Sequence, residues 1–304
     1  MPFQRSFLRR TLQRRLGRSL FSSDKGKWYN FVKDVKETDS KGDVSLNVFG
    51  EFAEDYDTAR PFYPKEMWDR LMQDAGESAN IAVDIAAGTG RGCLELARRN
   101  FYATAVDLDQ GMLNQVKRNA ETEGLKISTI KAPAESTKLK DNSVDVLVCL
   151  QAFHWFEAEK AVAEFHRILK KETGVAVVAW NDRDLSVPWV EELEAVFEKH
   201  NPLYNRDLKL AEYVVDYGNK FTGTGHFHVD SLQFYPNPTK SMTVDKLIEL
   251  VWTFSYVRAP FQDRHKDQAA DFEEELKSLV QNHHGDAPFD LPWVCKAYTL
   301  RPKI

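Results

Sequence analysis

The stretch Ile81-Ala-Val-Asp84-Ile-Ala86-Ala-Gly88-Thr-Gly90 is a short apolar run closed by a glycine pair, and a helical pattern follows it at 91–100. The run is strand-sized, and the glycines give a tight strand-to-helix turn. Working outward, the same alternation repeats. Apolar runs lie at Ile81–Ala86, Ala103–Leu108, Ile127–Lys131, Val144–Leu150 and Gly174–Trp180, with helix candidates at 91–100, 110–122 and 157–171. Such spacing predicts a parallel sheet with right-handed crossovers, a doubly wound α/β fold. A helix is expected at 188–200, then further strands at His226–Tyr235 and Val294–Arg301. The helical segments 243–256 and 266–282 read as a lid insert, about 240–282, within one domain spanning 48–304.

In a sheet of this kind ligands bind at the carboxyl ends of the strands, beside strand 1. Gly88 and Gly90 let the backbone turn and approach a ligand, and the helix behind them offers unpaired N–H groups to a carboxylate. Asp107, at the end of strand 2, can accept hydrogen bonds from vicinal ribose hydroxyls. Its structural alternative is the N-cap of helix 110–122, a task for which Asp109 is better placed. These two elements suit either a dinucleotide or S-adenosylmethionine. Cys93 stands where a G-x-G-x-x-G fingerprint has its third glycine. Asp84 suits an ammonium better than a pyrophosphate. Ala132-Pro-Ala134-Glu135 after strand 3 resembles the segment that meets the adenine edge in methyltransferases. All three favour S-adenosylmethionine.

The motifs Asp84-x-Ala-x-Gly-x-Gly90, Val106-Asp107, Met112, Ala134-Glu135 and Val144-Asp145 resemble those of class I methyltransferases. Gln151-Ala-Phe-His-Trp-Phe156 and the upstream Phe52-Ala-x-x-Tyr56-x-x-x-Arg60-Pro-x-Tyr63-Pro64 resemble the trans-aconitate methyltransferase-like branch of the type 11 methyltransferases. The resemblance spans about residues 48–301 and implies a Rossmann-like, mostly parallel seven-stranded sheet. It departs at Ala86, where the family has its first glycine, and at Lys170-Lys-Glu-Thr-Gly174. The site it implies sets Asp84, Ala86, Gly88 and Gly90 around the methionine and ribose, with Asp107 on the ribose hydroxyls. Leu108 and Met112 would flank the adenine, Ala134 and Glu135 meet its edge, and Gln151 lie beside the sulfonium. Tyr56, Arg60 and Tyr63 would clasp the cofactor; for the tyrosines, packing of an amphipathic helix is an equal reading.

Methyl transfer from a sulfonium is an in-line displacement that depends on alignment and needs no covalent help from the protein. A carboxylate acceptor needs no general base, whereas a hydroxyl or amine would want one; His154 is the nearest candidate, with simple packing between Phe153 and Trp155 as its alternative. Trp155, Trp180, Trp252 and Tyr256 are candidates for an acceptor pocket or for lid core, and Arg258 for an acid-binding cation. The expected function is methyl transfer to a small-molecule acceptor, carboxylic acids among them. A second reading is a cofactor-binding assembly protein without catalysis.

Residues 1–23 contain six arginines, several serines and no acid, with Leu8, Leu12, Leu16 and Leu20 on one helical face. That is the pattern of an organelle transit peptide, mitochondrial or plastid, followed by a linker over 24–47; the alternatives are a disordered basic tail or an uncleaved helix lying on a membrane surface, and for location the cytoplasm. The net charge of −5 falls to −11 without those arginines, against the basic surface that nucleic acids require. No apolar run is long enough to span a bilayer. Cys93, Cys149 and Cys295 are scattered, with no CxxC pair, so neither a disulfide framework nor a zinc site is expected. A monomer or weak dimer is expected.

Overall fold

The computed structural model describes residues 60–201, 204, 217–254, 257 and 268–304. The transit-peptide and linker assignments, Tyr56, Tyr256 and Arg258 lie outside the described residues.

Strand β1 (Ile81–Ile85) shows how the sheet is made. Its side chains alternate: Ala82 faces one apolar core and Val83 and Ile85 the other, so the strand is covered on both faces. It pairs in parallel with β2 (Tyr102–Asp107) on one side and β4 (Val146–Leu150) on the other, which makes its carboxyl end the switch point. With β3 (Ile127–Lys131), β5 (Val175–Arg183), β6 (Phe227–Pro236) and β9 (Trp293–Pro302), the sheet has seven strands in the order β3-β2-β1-β4-β5-β9-β6. β9 runs antiparallel between β5 and β6.

The two faces are covered by α1 (Lys65–Ala75), α2 (Arg91–Arg98), α3 (Gln110–Thr122), α4 (Ala158–Ile168) and α6 (Tyr217–Gly223), while α5 (Pro188–His200) packs in a third cluster away from them. Helix α3 starts where it does because the Asp109 carboxylate accepts from the N–H groups of Gly111 and Met112, the N-cap role expected of it. The lid holds α7 (Val244–Trp252) and α8 (Ala269–His284), with a two-stranded ribbon of β7 (Thr239–Met242) and β8 (Phe289–Leu291). α7, α8 and the ribbon share one apolar cluster with α5, through Leu193, Phe197, Leu250, Phe254 and Phe272.

Two expectations change. Strand 5 was expected to end at Trp180 but continues to Arg183, because β9 pairs with it as far as Arg183↔Trp293. The charged residues on this extension are matched: Asp182 with Lys296 at 2.8 Å, and Arg183 with Glu194, both 3% exposed. Trp180 is not part of an acceptor pocket. It is 1% exposed and stacks on Tyr217 at 5.0 Å between ring centroids, inside the core on the α4 face. Trp252 also packs as lid core, edge-on to Phe272, with its Nε1 donating to Glu273 at 2.8 Å. No helix among the described residues is long and apolar enough to cross a membrane.

Candidate functional site

The turn after β1 is built from left-handed backbone: φ is +53° at Ala86, +54° at Gly88 and +101° at Gly90. The two glycines serve different ends. A Cβ on Gly88 would have nothing within 4 Å and would stand in open space, whereas one on Gly90 would press on Val116 at 3.1 Å. Gly88 therefore leaves room for a ligand, and Gly90 lets α2 pack against α3. Ala86 adopts the glycine-like conformation with a methyl group, at a cost of about 1–2 kcal/mol.

Asp84 is 1% exposed. Its Oδ2 accepts the Cys93 N–H at 2.9 Å, while its Oδ1 is buried without a hydrogen-bond partner. Burial pushes its carboxyl up to about 7; the charge of Asp107 adds to the rise, and the N–H groups of Cys93 and Gly92 oppose it. A buried carboxylate oxygen with no partner is costly unless a donor or cation arrives. Asp107 is used on both sides: Oδ2 accepts Gly88 N–H and Oδ1 accepts Asp109 N–H, each at 2.9 Å. It is free of helix capping but braces the glycine turn, and each oxygen keeps a lone pair for a further hydroxyl. Burial raises its pKa, opposed by those two N–H groups.

Beside this turn lies a cleft open to solvent. Its floor is Asp84, Ala86, Ala87, Gly88, Thr89 and Gly92. The ends of β4 and β5 add Leu150, Gln151 and Asn181, and Arg60, Pro61, Tyr63, Arg91 and Trp293 close the rest. Of the expected site residues, Arg60, Asp84, Ala86, Gly88 and Gln151 thus meet in one cavity, with Tyr63. Arg60 is oriented toward the lid. Its Nε donates to Thr253 Oγ1 and its Nη2 to Thr253 O, both at 2.9 Å, with the guanidinium 4.4 Å from the Phe254 ring centroid.

The residues expected around an adenine sit beyond this cavity, past the ends of β2 and β3. Leu108 is 46% exposed, and Met112 and Ala134 are buried. The Glu135 carboxylate accepts the Glu157 N–H at 2.8 Å. His154 and Trp155 belong to a single 3₁₀ turn, Phe153–Trp155, and do not line the cleft.

Several cleft residues escaped the sequence reading, Gly92, Asn181 and Trp293 among them. Gly92 leaves space that Asp84 fills: a Cβ there would lie 2.5 Å from Asp84 Oδ2. The signal was a glycine in the first turn of a helix, where it is unfavourable. Asn181 stands near the end of β5, and its polarity at a carboxyl strand end was a usable sign once the strand is known to pass Trp180. Trp293, at the start of β9, carried no signal. Among the described residues no group of three or more His, Cys, Asp or Glu could hold a metal ion.

Comparison with known proteins matches residues 83–177 to a family model described as a methyltransferase domain. An uncharacterised methyltransferase of Schizosaccharomyces pombe is 32% identical over 238 residues, 76% of this chain and 88% of that protein. One from Mycobacterium tuberculosis is 32% identical over 231 residues, 75% of this chain and 85% of its own. A solved structure from Anaeromyxobacter dehalogenans, assigned to the type II methyltransferases, superposes with a TM-score of 0.56 at 22% identity. It covers 79% of this chain and 97% of that one, and shares the fold.

Proposed function

The chain belongs to the class I S-adenosylmethionine-dependent methyltransferases, and from that premise we propose that it methylates a small carboxylic acid, as in the trans-aconitate methyltransferase-like branch. The observation that carries the cofactor half of this reading is the buried, unpartnered Asp84 Oδ1 beside a glycine turn that leaves open space at Gly88. That arrangement fits the cofactor's ammonium against Asp84 and its methionine chain along Gly88. Asp107 would then hold the ribose hydroxyls, and Leu108, Met112, Ala134 and Glu135 the adenine, at the carboxyl ends of β2 and β3.

When bound, S-adenosylmethionine supplies a methyl group on a positively charged sulfur, an electrophile that needs only a nucleophile in line. The protein's own part is to align and desolvate. Trp293 and Tyr63 line the cleft and offer apolar and π surface, suited to a cationic sulfonium. Asp84 is the one acid among the described cleft residues, against Arg60 and Arg91, a balance that favours an oxygen acceptor over an ammonium. A carboxylate is ionised already, so no general base is required, consistent with His154 standing outside the cleft. Arg60 joins the cleft to the lid through Thr253, and in this reading the lid segment 240–282 sets which acceptor enters. The arginine-rich, acid-free residues 1–23 support import into mitochondria, and the chain would act as a monomer or weak dimer.

The test is incubation of the full-length protein with labelled S-adenosylmethionine and a panel of carboxylic acids, phenols and amines. Label transfer to acids is expected. Cofactor binding with transfer to none of them would return the non-catalytic reading.

A further inference from the structure

Gln151 is held at two points and in a strained conformation. Its backbone N–H donates to Ala179 O at 2.8 Å, tying it to β5. Its side-chain Oε1 accepts the backbone N–H of Asn181 at 2.9 Å. Its φ is +59°, a left-handed conformation with a long side chain and no glycine to ease it. Such strain persists where the surroundings over-determine it, and it clusters at functional sites.

The Asn181 contact fixes which way the amide points. A backbone N–H can only donate, so the atom facing it must be the oxygen, and a flipped amide would set N–H₂ against N–H. The Nε2 is therefore the free-facing end, on a residue that lines the cleft, and among the described residues no protein atom accepts from it. Asn181 is itself locked. Its Oδ1 accepts from Asn237 Nδ2 at 2.9 Å, and the same Asn237 nitrogen donates to Phe62 O at 2.6 Å. The Asn181 Nδ2 turns toward the Pro61 and Phe62 carbonyls at 3.5 and 3.4 Å. The donor that Gln151 faces is a backbone N–H of β5, fixed by the pairing of Asn181 with Cys295 of β9, while the Asn181 side chain separately ties residues 61–62 to the cleft.

We propose that the Gln151 Nε2 is the specificity-determining donor of the acceptor site, holding an acceptor by an oxygen lone pair and leaving a protonated amine without a partner. The proposal rests on the transferase reading above and adds to it the residue that reads the acceptor atom. An ammonium facing the N–H₂ would meet donor against donor, and Arg60 and Arg91 on the same cleft add like charge. A carboxylate or hydroxyl would accept from the amide instead. The donor discriminates because it is pre-oriented, so a mismatched group leaves a polar pair unmade rather than finding a rotated alternative.

The experiment compares wild type, Gln151→Glu and Gln151→Met in the full chain. It measures S-adenosylhomocysteine affinity, melting temperature and transfer from labelled S-adenosylmethionine to acids, alcohols and amines of matched carbon skeleton. Gln151→Glu keeps an oxygen for the Asn181 N–H and replaces the donor with a negative oxygen; Gln151→Met keeps the length and removes both. The expected result is transfer to acids or alcohols in wild type, with kcat/KM at least thirtyfold lower in Gln151→Glu and about tenfold lower in Gln151→Met. S-adenosylhomocysteine affinity should stay within threefold in both. The proposal is overturned if the best wild-type acceptor is an amine, or if Gln151→Glu transfers to acids as well as wild type does. A more than tenfold loss of S-adenosylhomocysteine affinity with acceptor preference unchanged would assign the amide to the cofactor and also overturn it. A wild type that binds S-adenosylhomocysteine yet methylates nothing removes the transferase reading, and this proposal with it; intact transfer with indifferent variants removes this proposal alone.

Discussion

The two walls of the cleft are built on different principles. One comes from a single short stretch of chain, Asp84 to Asp107, and works through backbone: positive φ angles, a space left at Gly88, and N–H groups pinned by Asp107. The other is assembled from distant places, with Gln151, Asn181, Asn237, Trp293 and the Arg60–Thr253 tie brought together only by the finished fold. A wall made of backbone serves a ligand part that does not vary. A wall made of side chains on separate elements can change one residue at a time, which suits the part of the reaction where acceptors differ. Damage to the first wall should therefore appear in cofactor affinity. Damage to the support of the second should appear in stability or acceptor choice.

The largest expected effect tests the second half of that statement. Arg183 and Glu194 form a buried ion pair under the lid, and the Arg183 guanidinium sits 4.9 Å from the Phe254 ring centroid and 5.4 Å from that of Trp293. Removing one member of a buried pair leaves the other charge uncompensated, so Glu194→Ala should cost about 3–5 kcal/mol of stability. S-adenosylhomocysteine affinity per folded molecule should hold within threefold, checked by chemical denaturation alongside calorimetry. A parallel fall in affinity would mean that the two walls are mechanically one.

Gly92→Ala attacks the other wall. The new methyl would stand 2.5 Å from Asp84 Oδ2 and 2.7 Å from its Cγ, so the carboxylate or the start of α2 must move. Overpacking of this kind costs about 1–3 kcal/mol. Either shift disturbs the seat of Asp84 against α2, so we expect tenfold to hundredfold weaker S-adenosylhomocysteine binding, with acceptor preference unchanged in whatever activity survives. Affinity within threefold of wild type would show that Asp84 does not touch the cofactor.

The contrast also explains what could be read from sequence. Helices α3 and α5 fall at the expected 110–122 and 188–200, and β3 at the expected 127–131, because hydrophobic period and end signals are local. Asp84 and Gly88 were legible for the same reason, and Ala86 only through the resemblance. Helix α1 was missed although Met67, Trp68, Leu71 and Ala75 mark its buried face, and the β7–β8 ribbon is too short to announce itself. In the second wall, Gln151 was found only by resemblance, and Asn181, Asn237 and Trp293 not at all. Their meaning lies in hydrogen bonds and packing across long sequence separations. Trp180 misled because a tryptophan at a strand's carboxyl end looks like a pocket lining until the partner that stacks on it, Tyr217, is known.

A smaller effect follows from the Asp84 carboxyl, pushed up to about 7 by burial. In the free protein it is mostly protonated below that value, whereas a bound ammonium requires it ionised. S-adenosylhomocysteine affinity should therefore be flat above about pH 7 and weaken as pH falls below it, by at most about tenfold per unit. Because the folded value lies above the ordinary 3.8, the free protein binds the extra proton when folded and should lose stability as pH rises from 3.8 to about 7. Calorimetry between pH 5.5 and 8.5 checks the binding slope; Asp84→Asn should abolish it and bind weakly throughout. A slope retained in Asp84→Asn would move the titrating group elsewhere.

The smallest expected effect is the most discriminating about how the backbone wall was made. Ala86 sits at φ +53° where glycine would be unstrained, and relieving that conformation is worth about 1–2 kcal/mol. Against this, glycine gains about 0.4–1 kcal/mol of conformational entropy in the unfolded chain. The Ala86 methyl also packs partly against the core on the α4 face, where a fully buried CH₂ contributes about 0.8 kcal/mol. These nearly cancel, so Ala86→Gly should change stability by less than about 1 kcal/mol by denaturant unfolding. Since Ala86 lines the cleft, removal of its methyl should leave S-adenosylhomocysteine affinity unchanged or raise it up to threefold. A loss of both stability and affinity would mean that the methyl props the turn open and that its packing outweighs the strain. The departure from glycine at this position would then be a support for the cofactor wall and not a burden on it.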